Sequence, residues 1–261
     1  MLDLRNTSGL PLQLGDDGSL VFGSGLPAVT PAVRTLEDMR VVLHDPSATG
    51  PENLYFMYRD VIRPEDKGKT APKGLRYDIT IIPPAKLGGE WTKTFGHYHP
   101  LAPSGAYYPE VYEVLAGRAI YLLQRRDAKG AIDDVLIIPA GPGEKVFMLP
   151  GYGHATINAG PGPLAMANWV AGSFQSEYGD YRERHGAAYL GLVDGTDVRW
   201  EPNHHYGTLQ KPRFVSAVSS PETSGLAAGR PMYLDVVAAP DRYAYLVDPK
   251  LYRGDWSHLV R

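Results

Sequence analysis

Residues 94–99 read TFGHYH, and the two histidines of this stretch, His97 and His99, decide the fold. On an extended chain, side chains two residues apart point to the same face, about 6.6 Å apart along it, so both imidazoles can reach one metal ion. Glu110 follows eleven residues after His99, and His154 comes much later. A carboxylate and a third imidazole from neighbouring strands would complete a site for a divalent cation with open positions for water or substrate. These residues predict a metal site inside a β-barrel.

The composition of the 261-residue chain agrees with turn-rich β structure and excludes several classes of protein. The 29 glycines and 23 prolines favour many turns. Charged residues make up 21% and the formal net charge is -3, which gives no footprint of nucleic-acid binding. No run of about 18 apolar residues predicts a membrane helix, and residues 1–14 lack the pattern of a signal peptide. Because the chain has no cysteine, disulfides and thiolate ligands are excluded, and we expect a cytoplasmic, soluble protein.

Short alternating or apolar segments divided by Gly and Pro predict β-strands along most of the chain, as in a sandwich or barrel. We expect a short helix at residues 36–43 capped by Thr35, and a polar loop at residues 63–74. From residue 178 onward the pattern loosens, with a weak linker at residues 216–229. The strands are expected at residues 55–62, 76–82, 91–99, 110–116, 119–124, 135–138, 146–149, 154–158 and 164–170.

Over about residues 76–170 the chain resembles the cupin superfamily, whose first motif holds two histidines and a glutamate and whose second holds one histidine. Here the first motif continues from Glu110 to Gly117, seven residues later. The second reads PGYGH at residues 150–154, with Asn158 four residues after the histidine. Together these two motifs are much more specific than a lone pair of histidines.

The resemblance implies an all-β fold: a cupin-like β-barrel (a double-stranded β-helix or jelly roll) with a few short helices and a C-terminal extension. We expect a single cupin-type domain over residues 1–261. Its core barrel covers about residues 50–180, with an N-terminal arm at residues 1–49 and a C-terminal extension at about residues 181–261.

A narrower resemblance is carried by TFGHYH and by EVY at residues 110–112, which are similar to the signature of the cupin-type glucose-6-phosphate isomerases. This metal-dependent family occurs in archaea and some bacteria. The pair Tyr178-Gly179 resembles the family's downstream Tyr-Gly, whereas Ser176 stands where some members carry a histidine. The family implies one divalent ion (Fe, Mn, Zn or Ni), a sugar-phosphate substrate and a homodimer, with no nucleic-acid or membrane partner. The implied metal ligands are His97, His99, Glu110 and His154.

Phosphate recognition has no Walker-type glycine loop to explain it. The resemblance implies that the donors to the phosphate are the side chains of Thr80, Thr94 and Tyr178 and the backbone amide of Gly96. Several hydroxyl and N–H donors can bind a dianion without a lysine when they converge. Lys93 is a nearby cation whose side chain shares the face of the histidines only where no bulge intervenes.

The implied reaction moves a hydrogen between C1 and C2 of glucose 6-phosphate and fructose 6-phosphate through a cis-enediolate, and a divalent ion would stabilise the charge on O1 and O2. Glu110 is a candidate base, although metal ligation lowers its basicity. Tyr112, on the same strand face, could donate a hydrogen bond to the enediolate. A partly dissociated Glu110, a metal-bound water and a metal-assisted hydride shift all stay open.

Two other function classes fit the same scaffold, because fold alone does not determine function. One is an Fe(II) dioxygenase, which would use similar ligands together with O2. The other is a non-catalytic sugar-binding or sensor cupin. The residues 94–99 and 110–112 favour the isomerase, since neither alternative requires them.

Overall fold

A computed structural model of the chain describes residues 1–217 and 224–260. The remaining residues, 218–223 of the predicted linker and Arg261, lie outside the described part. The strands are β1 (Leu2–Asp3), β2 (Leu12–Leu14), β3 (Leu20–Phe22), β4 (Ala32–Thr35), β5 (Asn53–Tyr58), β6 (Leu75–Ile82), β7 (Lys86–Leu87), β8 (Glu90–Trp91), β9 (Glu110–Ala116), β10 (Ala119–Arg126), β11 (Ile132–Ala140), β12 (Lys145–Met148), β13 (Tyr152–Asn158), β14 (Leu164–Ala171), β15 (Tyr189–Asp194), β16 (Asp197–Pro202) and β17 (Arg213–Phe214).

The helices are short and lie between the strands or near the C-terminus. The α-helices are α1 (Arg5–Ser8), α2 (Leu36–Met39), α3 (Pro64–Thr70), α4 (Gly179–Glu183) and α5 (Met232–Ala238). The 3-10 helices are Arg40–Val42, Ala71–Lys73, His204–Tyr206, Pro240–Leu246, Pro249–Leu251 and Trp256–Leu259. No helix in the described ranges is long and apolar enough to cross a membrane.

Two of these helices test the sequence interpretation. Helix α2 begins as predicted, because Thr35 accepts a hydrogen bond from the backbone of Asp38 and the Asp38 side chain accepts one from the backbone of Thr35. The predicted polar loop at residues 63–74 is wrong, since α3 and a 3-10 turn occupy it. Pro64 at the first position and acidic side chains in the first turn favour this helix, and these signals are present in the sequence.

Two large sheets form the barrel. One has six strands in the order β12-β9-β14-β6-β5-β4, and the other has four in the order β13-β10-β11-β17. Side chains from both sheets meet in the interior, because Glu110 at the start of β9 and His154 on β13 approach to 3.3 Å. The predicted all-β, cupin-like barrel with a few short helices is therefore confirmed.

The segments outside the central strands pack closely against the sheets. The N-terminal strand β4 pairs with β5 at the edge of the six-stranded sheet. Near the C-terminus, the ring of Tyr233 on α5 packs against Tyr77 and Trp169, with ring centroids 5.1 and 6.0 Å away. These contacts cover the outer face of the six-stranded sheet. The division into arm, barrel and extension within one domain stays a prediction.

Candidate active site

The two histidines of the TFGHYH stretch lie on an irregular extended segment. The predicted strand at residues 91–99 is wrong for most of its length, because the regular strand β8 ends at Trp91. Gly96 adopts φ +83°, and a Cβ there would come 2.3 Å from the ring of Tyr181, so the segment bends where only glycine fits. Backbone hydrogen bonds of 3.1 and 2.9 Å join His97 to His154 and hold the segment against β13.

The four predicted metal ligands converge at one end of the barrel. The Nε2 atoms of His97 and His99 are 3.3 Å apart. Oε2 of Glu110 lies 3.4 Å from His99 Nε2 and 3.3 Å from His154 Nε2. All four potential ligand atoms lie within 4.8 Å of one another, and His99, Glu110 and His154 are buried. A single ion could contact all four.

Neighbouring groups fix how the ligands are presented. Nδ1 of His99 lies 3.0 Å from the carbonyl oxygen of Tyr108, which can only accept, so Nδ1 carries the hydrogen and Nε2 keeps its lone pair for a metal. The side-chain amide of Asn168 donates to Glu110 Oε1 at 2.6 Å. The other carboxylate oxygen, Oε2, is thereby left facing the imidazoles.

Several buried polar atoms of this cluster lack hydrogen bonds. Glu110 Oε2 and both ring nitrogens of His154 have no hydrogen-bond partner among the described residues. Although Oε2 lies near His154 Nε2, the pair does not form a hydrogen bond. Unpaired buried polar atoms are costly and rare in folded proteins. A metal ion would satisfy Oε2 and one nitrogen of His154, so the residues fit the ion that the sequence motifs imply.

The protonation states also suit metal binding. Burial lowers the pKa of His97 and of His154, and nearby imidazoles lower the pKa of His97 further. For Glu110, burial opposes ionisation, but His154 and His99 outweigh it and hold its pKa well below the usual range. Neutral imidazoles and an ionised carboxylate are the forms that ligate a divalent cation.

The ligands line a cavity of about 640 Å³ including its open mouth. The sequence-predicted residues Thr80, Thr94, Gly96, Tyr112 and Tyr178 line the same cavity. The structure thus brings every predicted substrate-binding residue to the metal cluster, while their roles stay predictions. Ser176, at the position where some family members carry histidine, also lines it.

Thr94, a predicted phosphate donor, and its neighbour Lys93 differ in whether their side chains are free to bind a ligand. The backbone N–H of Thr156 donates to Thr94 Oγ1 at 2.9 Å, so the hydroxyl hydrogen of Thr94 stays available for a ligand. Lys93, in contrast, is buried and its Nζ lies 2.5 Å from Glu90 Oε1. Lys93 is therefore engaged in a structural ion pair.

Sequence reasoning missed three polar residues at the site. Arg59 and Arg76 line the cavity, and Asn168 holds Glu110. Signals for them exist in the sequence. Arg59 continues the alternation of Tyr55 and Met57, and Asn168 is the one amide in the apolar run LAMANWVA of β14.

Comparison with solved structures gives only weak likenesses. A recombinant oxalate oxidase in complex with glycolate is 17% identical, with a TM-score of 0.29 over 40% of this chain and 42% of that chain. Oxalate decarboxylase from Bacillus subtilis is 15% identical, with a TM-score of 0.34 over 50% of this chain and 30% of that chain. At these TM-scores the likenesses add nothing to the assignment of fold or function.

Comparison of sequences is more informative. A glucose-6-phosphate isomerase from Thermococcus gammatolerans is 26% identical over 178 residues, which cover 67% of this chain and 86% of that protein. The glucose-6-phosphate isomerase of Pyrococcus abyssi is 27% identical over 188 residues, covering 68% and 89%. That of Thermococcus litoralis is 30% identical over 159 residues, covering 59% and 76%. The sequence model of one family, glucose-6-phosphate isomerase (GPI), matches residues 33–208, about two thirds of the chain and including the whole metal cluster. The chain belongs to the glucose-6-phosphate isomerase family.

Proposed function

We propose that this protein is a metal-dependent aldose-ketose isomerase that interconverts glucose 6-phosphate and fructose 6-phosphate. The observation that carries the proposal is the convergence of three imidazoles and one carboxylate, with unsatisfied buried donor atoms, in a member of this family. The ligands are His97, His99, Glu110 and His154. Nitrogen and oxygen ligands of this kind suit Fe, Mn, Zn or Ni.

A bound divalent ion would supply positive charge for the substrate oxygens O1 and O2 as negative charge develops on them. Glu110 would offset part of the charge of the ion, and Asn168 fixes its orientation through Oε1. Burial raises the pKa of Tyr112 well above its ordinary value, so its phenol keeps its hydrogen and acts as a donor to a substrate oxygen.

The phosphate group of the substrate would be bound by uncharged hydrogen-bond donors. Thr80, Thr94 and Tyr178 offer hydroxyl groups and Gly96 offers its N–H, and all four line the cavity beside the metal cluster. Converging donors of this kind can hold a phosphate dianion. The phosphate would anchor the sugar so that its C1–C2 end faces the imidazoles, which is the positioning that catalysis requires.

The deciding experiment measures conversion of fructose 6-phosphate to glucose 6-phosphate by the purified protein as isolated, after chelation, and after separate return of Fe, Mn, Zn or Ni. Activity that disappears on chelation and returns with one of these ions supports the proposal and identifies a competent metal. Absence of turnover in protein that binds metal contradicts it. Oxygen consumption in the same samples would then identify a dioxygenase, and sugar binding without turnover a sensor.

The phosphate contacts are tested with Thr94→Val. We expect KM for fructose 6-phosphate to rise about tenfold with metal content unchanged, because one hydrogen bond to a charged group is lost. Thr94→Ser keeps the hydroxyl and should stay near the wild-type KM. Parallel loss of metal and of substrate affinity in Thr94→Val would refute the phosphate role.

The proposal includes a cytoplasmic location and a homodimer. The location rests on the cysteine-free composition, and the homodimer rests on the family resemblance. Sedimentation equilibrium of the metal-loaded protein tests the second: a mass near 57 kDa, twice the 28.6 kDa of one chain, is expected, and a mass near 28.6 kDa would refute it.

A further inference from the structure

Two arginines with an incompletely neutralised charge stand on the cavity wall. Arg59 Nη1 lies 2.7 Å from Asp78 Oδ2, and Arg76 Nη2 lies 2.9 Å from the same oxygen. The Asp78 side chain is buried beneath them, at 1% exposure. Two positive charges share one negative charge, so the cluster leaves a net positive charge at the surface of the cavity.

The sheet register places this charge on the same face of the sheet as the metal ligand Glu110. On β6, Ile79 pairs with Tyr58, so Arg59, the next residue, stands beside Asp78. Asp78 is paired with Asn168 on β14, and Asn168 is paired with Tyr112 on β9. These four side chains form a polar row across the inner face of the sheet, with neighbouring strands about 4.8 Å apart. The row ends next to Glu110, which Asn168 holds.

Arg59 has donors to spare. Its Nη1 is engaged by Asp78, and its Nη2 lies 3.5 Å from Met57 Sδ, a weak acceptor. A guanidinium carries five N–H donors, and 46% of the Arg59 side chain is exposed while it lines the cavity. No other acceptor among the described residues engages the remaining donors, and Arg59 lines the space that a substrate would occupy.

We propose that Arg59 is a further catalytic residue: it donates to an oxygen at the C1–C2 end of the sugar and stabilises the negative charge that develops there. This inference rests on the proposed isomerase function. Arg59 transfers no proton, because a guanidinium does not lose its hydrogen at working pH. Arg76 shares Asp78 and so leaves Arg59 charge available to the substrate. A ligand with a permanent anion at C1 would be favoured for the same reason.

The test compares two ligands that carry, at this end, an anionic group in one case and a neutral group in the other. D-Arabinonate 5-phosphate carries a planar carboxylate that copies the charged C1–C2 unit, and D-arabitol 5-phosphate carries a neutral alcohol instead. Calorimetry on metal-loaded protein gives both affinities for the wild type, Arg59→Met and Arg59→Lys. Asp78 keeps Arg76 and the backbone N–H of Asp60 as partners in Arg59→Met, which protects the fold. The matched control is Arg125→Met, because Arg125 also pairs with one aspartate, Asp133, and is 45% exposed.

In Arg59→Met we expect the affinity for arabinonate 5-phosphate to fall at least about tenfold, while that for arabitol 5-phosphate changes by less than about twofold. The kcat for fructose 6-phosphate should fall about 100-fold with little change in KM, since the interaction strengthens in the transition state. Arg59→Lys should recover little, because its one ammonium is drawn to Asp78. Arg125→Met should match the wild type in every measurement.

Three results would each overturn the assignment. The first is an equal loss of affinity for the two ligands in Arg59→Met, and the second is a wild type that does not prefer the charged ligand. The third is a kcat in Arg59→Met within about twofold of wild type. Failure of the proposed function looks different. A metal-loaded wild type that converts no fructose 6-phosphate but prefers the arabinonate, with the preference lost in Arg59→Met, would refute the isomerase and keep Arg59 as the anion-binding residue.

Discussion

Glu110 and Glu113 lie three residues apart on β9 and point to opposite faces of the same sheet. Their hydrogen-bond partners differ in kind. Glu113, on the outer face, has both oxygens satisfied: Lys145 Nζ lies 2.9 Å from Oε1, and the backbone N–H of Met232 donates to Oε2 at 2.8 Å. Glu110, on the inner face, has Oε1 satisfied by Asn168 and Oε2 without a hydrogen bond. Both carboxylates are buried.

This difference in partners indicates that Glu113 has a structural role and Glu110 a functional one. A buried carboxylate whose partners all come from the protein serves the fold, and its loss should reduce stability. A buried carboxylate that keeps one oxygen free beside two imidazoles is prepared for a ligand that the protein does not supply. Substitutions around the two glutamates should therefore affect different quantities: metal affinity on the inner face and the free energy of unfolding on the outer face.

The largest effect is expected from the imidazoles of the inner face. His154→Ala should lower metal affinity at least about 100-fold and abolish isomerase activity, because it removes one of four ligands. His97→Ala and His99→Ala should do the same. Metal content of chelator-treated and reloaded protein is the measurement, with exposed His258→Ala as the control. Full metal retention in all three variants would disprove the site.

On the outer face, Lys145→Met should lower the free energy of unfolding by about 3 kcal/mol, because it leaves Glu113 buried with one partner fewer. Metal affinity should stay within about twofold of wild type. Urea unfolding of the metal-free protein measures the first quantity, and chelator competition the second. Exposed Lys129→Met is the control. If Lys145→Met weakened metal binding as strongly as stability, the two faces would not be independent.

A smaller effect on the inner face is expected from Asn168→Leu. This change keeps the size of the side chain and removes the donor to Glu110 Oε1, so metal affinity should fall about tenfold. The electron paramagnetic resonance spectrum of bound Mn(II) should change as the carboxylate reorients. Met166→Leu, on the same strand and also at the cavity, controls for repacking. An unchanged spectrum and affinity would mean that Asn168 does not position Glu110.

The smallest effect concerns pH. Burial raises the pKa of Glu113 to about 7, against the opposing influence of Lys145, and its ordinary value is 4.5. A carboxyl whose folded-state pKa is raised stabilises the fold below its unfolded pKa, and this contribution is lost as pH rises through the folded value. Because Lys145 opposes this rise, Lys145→Met should raise the folded-state pKa of Glu113 further, and its destabilisation should grow by on the order of 1 kcal/mol between pH 6 and pH 8. If the difference in unfolding free energy between wild type and Lys145→Met became smaller from pH 6 to pH 8, the raised pKa of Glu113 would be contradicted.

The inner face was more predictable from the sequence than the outer one. The spacing of His97 and His99, together with Glu110 and a distant His154, indicated the residues that the structure brings together. The alternation of side chains along β9 likewise puts Glu113, three residues from Glu110, on the face away from the cavity. Local periodicity contains this information because it fixes the face of each side chain.

Partners across the sheet could not be read in the same way. That Asn168 reaches Glu110 depends on the register of β14 against β9, and that Arg59 reaches Asp78 depends on the register of β5 against β6. The outer partner of Glu113 was equally hidden, because Met232 lies 119 residues further along the chain. Contacts between residues far apart in the chain are therefore the hardest to predict from a single sequence.

The docking of α5 has a practical consequence for anyone who trims this protein. The family match ends at residue 208, which invites expression of a shortened chain without the last fifty or so residues. Such a fragment would lose Tyr233, uncover Tyr77 and Trp169, and remove one donor from Glu113. It would present an aromatic surface to solvent and should precipitate or associate, although its catalytic cavity would be complete.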